Sequence, residues 1–369
     1  MARVALEPRI RDLVVAGGGP AGLAVAIAAA SRGLDVLVLE RGTLPADKAC
    51  GEGLLPGGVR ALEALGALRL VPADDQAPIR AIRWIDEEGT TAEARFAGEG
   101  GLGVRRTALS QALLGRARAA GAEVRERTPV VSHRRGPKGV EVGTPSAIER
   151  ARLLVAADGL LSPIRVREGL DRPLSGEERF GLRRHYALRP WTDAVEVHFA
   201  DGVEAYVTPA GRQRVGVAFL CEEACRAPFG QLLSLFPAVR ARLGGAAFDS
   251  APAGAGPFGR ESTARTRDRL VLVGDAAGYV DAITGEGISM ALESALDLGA
   301  ILPEALAQGA TRKALLPFDR AQGRRWRKYA AAARFVLGLA RRPEARRRVL
   351  EAAGRHPRVL SRLVSWAVG

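Results

Sequence analysis

Apolar residues follow three patterns along the chain. Leu13-Val-Val-Ala16, Arg152-Leu-Leu-Val-Ala-Ala157 and Arg269-Leu-Val-Leu-Val273 are short, nearly continuous apolar runs, the pattern of strands buried on both faces. Leu34-Asp-Val-Leu-Val-Leu-Glu40 is another, ending in an acid. Between the first and the last of these in the N-terminal unit, Leu23-Ala-Val-Ala-Ile-Ala-Ala-Ala30 predicts a small-residue helix, and Ile288-Ser-Met-Ala-Leu-Glu-Ser-Ala295 predicts a helix late in the chain. Residues 78–97 and 175–262 change character and alternate. Phe180-Gly-Leu-Arg-Arg-His-Tyr186, Ala194-Val-Glu-Val-His-Phe199, Glu204-Ala-Tyr-Val-Thr-Pro209 and Gln213 to Leu220 predict half-buried strands of an antiparallel sheet, split by turns at Asp201-Gly and Ala210-Gly. Alternation puts His185 and Tyr186 on opposite faces, so at most one of them faces a common site. From Arg312 the pattern is helical with basic and apolar faces, broken at Pro343 and resuming over 345–354 and 358–368.

The joins between these elements carry the chemistry. The first strand runs into Gly17-Gly-Gly-Pro-Ala-Gly22, the helix follows, and Glu40 closes the second strand eighteen positions beyond Gly22. Strand, G-x-G-x-x-G turn, helix, strand and acid form a dinucleotide-binding unit. Gly17 permits the tight turn, Gly19 lets the backbone approach a pyrophosphate at the helix N-terminus, Gly22 permits close packing of helix on strand, and Glu40 can hold ribose hydroxyls. Two further segments, Gly98 to Gly103 and Gly254 to Gly259, match the same expression. The second, with Pro257 and no small-residue helix after it, reads as a loop. The first is preceded by an alternating strand, which leaves one good dinucleotide unit and a weak candidate for a nicotinamide-binding turn.

With 369 residues, 47% hydrophobic and 26% charged, the chain is long enough for about two domains with their own cores. Three cysteines, Cys50, Cys221 and Cys225, with no paired Cys-x-x-Cys motifs, and four histidines without ligand spacing argue against a disulfide framework and a metal site. No apolar stretch approaches the roughly 18 residues of a membrane span, and the start lacks a signal-peptide h-region, so a cytoplasmic protein is expected. The net charge of +13 is concentrated: residues 320–369 hold fourteen basic side chains against two acidic, leaving the rest near neutrality. That argues against nucleic acid as the partner of the body and marks the tail as a basic appendage. Its basic helices could be a solvated face or a peripheral contact with anionic membrane, with Trp326, Phe335 and Trp366 available to a surface or a substrate cover.

The motifs in this order, with Asp158-Gly159 after one apolar strand, Gly274-Asp275-Ala-Ala after another, and Thr284-Gly-Glu-Gly287 opening a helix, resemble the superfamily of p-hydroxybenzoate-hydroxylase-like aromatic monooxygenases and geranylgeranyl reductases. The resemblance covers roughly residues 10–305. It implies an α/β chain with mixed α+β character. A Rossmann-like FAD-binding domain of glutathione-reductase-type topology would span 8–77, 99–174 and 263–310, an inserted antiparallel substrate sheet 78–98 and 175–262, and a basic helical region 311–369. It also implies that Gly17, Gly19, Pro20, Ala21, Gly22, Glu40 and Arg41 hold the ADP half of FAD, that Arg106 contacts the flavin, that Asp158-Gly159 lies near the pyrophosphate, that Asp275 binds ribityl or ribose hydroxyls, and that Gly285, Gly287 and Ile288 approach the isoalloxazine. The helix start there suits a reduced flavin that carries negative charge.

The resemblance implies that NAD(P)H is read without a second Rossmann unit. Cys50-Gly-Glu-Gly53 resembles a stretch of the reductase branch that borders flavin and substrate, which brings in Glu52. His185, Tyr186, His198 and Tyr206 are the polar-aromatic candidates on the sheet, and His185, Tyr206 and Glu52 stand as catalytic candidates. The activity expected is an FAD-dependent monooxygenase using NAD(P)H and O2 on an apolar, phenolic or lipid-like molecule. The alternatives are a geranylgeranyl-reductase-type reductase of prenyl double bonds and a flavoprotein maturation factor acting on another polypeptide. Cys50-Gly-Glu-Gly53, Thr284-Gly-Glu-Gly287, and Gly278 and Ile283 in place of the hydroxylases' His-Pro pattern favour the reductase.

Overall fold

The computed structural model describes residues 9–176, 178–223 and 226–368, the last three of them by backbone alone. Pro8, Cys225 and the Trp366 side chain therefore lie outside the described residues. The apolar runs form the centre of an eight-stranded sheet. Along its main path the order is Thr266–Arg267, Leu270–Leu272, Ile148–Ala156, Ile10–Ala16, Val36–Leu39, Glu123–Arg125, and the last five of these are parallel to one another. A hairpin, Ser132–Gly136 with Gly139–Gly143, extends from Ile148–Ala156. Val36–Leu39 is buried at every residue, as its unbroken aliphatic run requires of a strand covered on both faces.

Helix Pro20–Ala30 is buried almost throughout because Ala and Gly let it sit against both the sheet and helix Gly287–Ala307. A Cβ on Gly299 would stand 2.6 Å from that of Ala28, so this crossing needs glycine. Helix Arg106–Ala119 packs on the same face.

The alternating segments form a seven-stranded sheet in the order Ala253–Ala255, Arg179–Tyr186, Val215–Glu222, Val203–Pro209, Ala194–Ala200, Ala81–Ile85, Thr91–Arg95. It departs from the expected antiparallel sheet at one place: Ala194–His198 runs parallel to Ala81–Ile85, because the intervening chain passes through the first domain before returning. Ala253–Ala255 is an edge strand, so the segment expected to be a loop from Gly254 begins inside the sheet. Helices Phe229–Ser234 and Pro237–Leu243 cover one face around Phe219, with Phe219 and Phe236 stacked at 5.7 Å between centroids. The other face looks towards the first domain.

The Gly98–Gly103 segment is not a nucleotide turn. It leads into Gly101–Val104, the middle strand of a small sheet with Gly53–Leu54 and Gln76–Ile79 at the junction of the two domains. There a Cβ on Gly103 would meet the Pro209 carbonyl at 1.6 Å, so its glycines serve a crowded backbone crossing. Gln76–Ile79 belonging to this sheet also moves the start of the substrate sheet from 78 to Ala81.

The tail is three helices, Leu316–Ala340, Pro343–Arg355 and Pro357–Val368. It is more than an appendage: Phe318, Trp326, Tyr329, Ala330 and Ala333 are core residues, and Arg346, 2% exposed, is paired with Glu87.

Candidate active site

Three parallel strands end level with one another, Ala16 opposite Ala156 and Ala156 opposite Leu272. Gly17, Asp158 and Gly274 therefore emerge side by side at the carboxyl edge of the sheet, where open α/β sheets bind their ligands. Gly17 has φ +109°, and a Cβ there would lie 2.3 Å from the Ala157 carbonyl; on Gly22 it would lie 1.9 Å from the Gly17 carbonyl. Gly19, by contrast, has nothing within 4 Å of the Cβ position, and no side chain caps the helix that follows. The turn is thus closed behind and open in front, with free amides at a helix N-terminus beginning at Pro20. Ala21 packs against Gly274, whose Cβ position lies 2.7 Å from the alanine methyl. Glu40 is buried at the end of the second strand and accepts from the amides of Gly18 at 2.6 Å and Gly42 at 2.9 Å, which keeps its carboxylate beside the turn; Arg41 is exposed next to it.

The Asp158 carboxylate faces its own turn. It accepts from the Ser162 hydroxyl at 2.5 Å and the Ile164 amide at 3.1 Å, capping the start of helix Pro163–Arg167, so of the pair only Gly159, with φ +88° and open space at its Cβ position, is left towards the crevice. Arg165, 1% exposed, ties the two turns together by donating to the carbonyls of Leu160, Asp275 and Ala276.

The Asp275 carboxylate has no hydrogen-bond partner among the described residues, and burial pushes it above the usual carboxylate range against the pull of Arg106, Lys48 and Arg165. Arg106 opens its helix, is buried, and has an unpartnered Nε. Gly285, at φ +67°, and Gly287 lead into a helix that no side chain caps, with Ile288 half-buried behind them. A glycine cradle beside a ribose-type acid, a buried cation with a spare donor and a carboxylate with spare acceptors are what a dinucleotide with two phosphates and many hydroxyls requires. The residues fit FAD.

The catalytic candidates are placed differently from expectation. Glu52, 2% exposed and at φ +59°, accepts from Arg105 Nη1 at 2.7 Å, the Arg106 amide at 2.9 Å and His185 Nε2 at 2.7 Å. His185, fully buried, uses its Nδ1 on the Ser250 hydroxyl at 2.8 Å. Arg183, also buried, pairs with Asp47, which pairs in turn with Arg105. Burial alone would raise the Glu52 carboxyl, but the donors from His185, Arg105 and Arg106 outweigh it and hold it below its usual range. Glu52 and His185 are therefore an interior clamp between the Cys50–Gly53 loop and strand Arg179–Tyr186. Both carboxylate oxygens of Glu52 and both ring nitrogens of His185 thus have partners inside the protein, so the pair ties two elements together whatever else it does.

Tyr206 donates its hydroxyl to the Ile283 carbonyl at 2.7 Å, and burial together with Glu204 and Asp281 keeps the phenol neutral. Tyr186 faces away into the Phe229 and Phe248 cluster, as alternation requires. His198 lies at the far edge beside Glu196, outside the site. Burial raises the Cys50 thiol, the opposite of a reactive thiolate. No group of His, Cys, Asp and Glu among the described residues is arranged to hold a metal.

Several residues were not legible in the sequence. Arg105, Asp47, Arg183 and Ser250 complete the clamp, and only the adjacency of Arg105 to Arg106 could have signalled one of them. Tyr329, in the tail, accepts from the amides of Val280 and Asp281 at 3.2 Å each and donates to the Asp281 carbonyl at 2.7 Å. The Trp326 ring lies over Gly278, where a Cβ would meet it at 2.7 Å. The tail thus braces the loop that precedes the Gly287 helix. Glu286, inside Thr284-Gly-Glu-Gly287, is 8% exposed, its Oε2 has no partner, and burial raises its carboxyl to about 7 against the pull of Thr284 and Lys328.

A dinucleotide cradle at the carboxyl edge of a parallel sheet, joined to a β-sheet floor, defines the class as an FAD-dependent oxidoreductase. Residues 11–218 match the family model described as FAD binding domain, and the chain belongs to that family. The chain is 30% identical over 335 residues to digeranylgeranylglycerophospholipid reductase 1 of Methanopyrus kandleri, covering 83% of this chain and 84% of that protein. It is 29% identical over 309 residues to menaquinone reductase of Mycobacterium tuberculosis, covering 77% and 74%. In fold it is similar to a triple mutant of the flavin-dependent brominase Bmp2, with a TM-score of 0.82 over 96% of this chain and 94% of that one at 15% identity. Among the described residues no helix is long and apolar enough to cross a membrane.

Proposed function

We propose that the chain reduces carbon–carbon double bonds of a prenyl-type lipid, with NAD(P)H as the source of electrons, in preference to hydroxylating a phenol. The observation that carries this reading is Glu286. Saturating an isolated double bond needs a hydride at one carbon and a proton at the other, and bound FAD would supply the hydride. The proton then needs an acid that stays protonated near neutral pH. We assign this proton to Glu286, at the start of the Gly287 helix beside Thr284 and Lys328, with a carboxyl raised to about 7 and an unpartnered Oε2.

The remaining roles belong to residues of this chain that bind or position. Gly17, Gly19, Pro20, Ala21, Gly22, Glu40 and Arg41 take the ADP half, with the pyrophosphate at the uncapped N-terminus of helix Pro20–Ala30. Arg106, Gly159 and Asp275 take the middle of the cofactor, and the backbone of Gly285, Gly287 and Ile288 takes the ring. Glu52 and His185 fix the Cys50 loop, and Tyr206 holds the Ile283 carbonyl so that the loop ahead of Glu286 keeps its place. The names of the two sequence relatives support a lipid reductase, as does Cys50-Gly-Glu-Gly53.

The test is product mass. Purified holoenzyme supplied with NAD(P)H and a geranylgeranyl lipid should yield a product heavier by one H2 per bond reduced, at a rate that oxygen does not raise. A product heavier by one oxygen atom, formed only in air, would refute the proposal in favour of the hydroxylase. Protein that binds FAD yet turns over neither class of molecule would favour the maturation factor.

A further inference from the structure

The last helix, Pro357–Val368, closes no core. It lies along the edge strand Thr91–Arg95 of the substrate sheet, where the Ser361 hydroxyl accepts from the Arg95 amide at 3.0 Å. Each of its residues with a described side chain is at least partly exposed. At about 100° per residue, Arg358, Arg362, Val359 and Leu363 fall on one arc of roughly 140°. These four are exposed, Val359 at 56% and Leu363 at 60%, whereas Leu360, Ser361, Val364 and Ser365 on the other side are half-buried against the protein. The outward face is therefore half guanidinium and half aliphatic.

The preceding helix, Pro343–Arg355, is fixed to the same region. Its Arg346 pairs with Glu87 and sits 4.6 Å from the Phe199 ring, and Leu350 is buried. It turns Val349, 40% exposed, and Arg347, Arg348 and Arg355 outward.

Val359 and Leu363, one turn apart, form an aliphatic strip beside Arg358 and Arg362. Aliphatic side chains flanked by long cationic ones suit one environment above others: the boundary of a bilayer, where the aliphatic groups enter the acyl region and the guanidinium groups meet phosphates. We propose that helix Pro357–Val368, with the outward side of Pro343–Arg355, is a docking surface for an anionic phospholipid bilayer. Charge favours the anionic surface: Arg346 is spent on Glu87 and Arg347 on Glu88 and Glu351, but Arg348, Arg355, Arg358 and Arg362 remain exposed on these two helices. The aliphatic half favours a bilayer over a polynucleotide, because Val and Leu offer nothing to a phosphate and little to a base. The use of this surface, bringing the enzyme to a lipid substrate, rests on the reading of function above; the surface itself is defined without it.

The test is sedimentation of the full-length holoprotein with vesicles. The protein should sediment with vesicles of equal parts phosphatidylglycerol and phosphatidylcholine and far less with phosphatidylcholine alone. The double variants Val359→Ser with Leu363→Ser, and Arg358→Gln with Arg362→Gln, should each weaken binding more than about tenfold while the flavin spectrum and melting temperature stay those of the parent. Variants that bind as the parent does, or no binding to anionic vesicles, would overturn the proposal. So would a dimer in solution that the Val359→Ser, Leu363→Ser variant dissociates, since the face would then belong to a second copy. Vesicle binding that persists in a chain found to reduce no lipid would leave the surface standing and remove only the reductase reading.

Discussion

Replacing Glu52 by Gln separates a positioning role from a catalytic one. The substitution keeps the volume and one acceptor oxygen, but it removes the negative charge that sits between Arg105 Nη1, the Arg106 amide and His185 Nε2. If the amide oxygen takes the Arg105 and Arg106 donors, the new NH2 group faces His185 Nε2. His185 can then accept only by moving its proton to Nδ1 and donating to Ser250. Removing one member of a buried ion pair costs about 3–5 kcal/mol, and because Asp47 still serves Arg105, about 2–4 kcal/mol is expected here.

Denaturant unfolding of the holoprotein at neutral pH measures this loss directly. The pH dependence fixes its origin. The Glu52 carboxyl lies below its ordinary value of 4.5 in the fold, so its stabilisation is complete above that value and disappears as pH falls through the lower, folded one. Parent and variant should therefore converge in acid. Equal stability at neutral pH, or a gap that persists unchanged in acid, would refute the clamp. A variant of undiminished stability whose turnover is lost would return Glu52 to the catalytic residues.

The other expectations are simpler. Asp275→Ala should weaken FAD binding by about 1–3 kcal/mol, measured by equilibrium dialysis, and unchanged affinity would remove Asp275 from the cofactor contacts. Gly22→Ala forces a methyl to within 1.9 Å of the Gly17 carbonyl, so the first helix must move off the strand; a loss of about 1–3 kcal/mol in stability and release of FAD on gel filtration are expected. Glu286 has its folded pKa raised from 4.5 to about 7, so burial of its charge costs stability increasingly as pH rises through that window and in full above it. Glu286→Gln should accordingly be more stable than the parent by up to about 3 kcal/mol at mildly alkaline pH and equal to it in acid, and identical melting curves across pH would contradict the raised value.

The sequence by itself determined the nucleotide end. A Gly17–Gly22 turn between a buried strand and a small-residue helix, with Glu40 at the end of the next strand, is local in the chain. Each of its demands, close approach, a free helix start or an acid at a strand end, is met by residues a few positions apart. Alternation was equally local, and it put His185 and Tyr186 on opposite faces correctly. Periodicity says which residues share a face but not what lies opposite that face. Only the tertiary structure could show that Glu52 meets His185 across 133 positions of sequence, which joins two candidate catalysts in one buried clamp. Likewise only packing could show that Tyr329 and Trp326, in a tail legible mainly as basic, hold the loop before Glu286. Whether a carboxyl or an imidazole reacts or merely holds is settled by burial and by its partners, which long-range contacts supply. The same contacts divide the tail's charge into Arg346, spent on Glu87 inside the fold, and Arg358 and Arg362, left on its outer face.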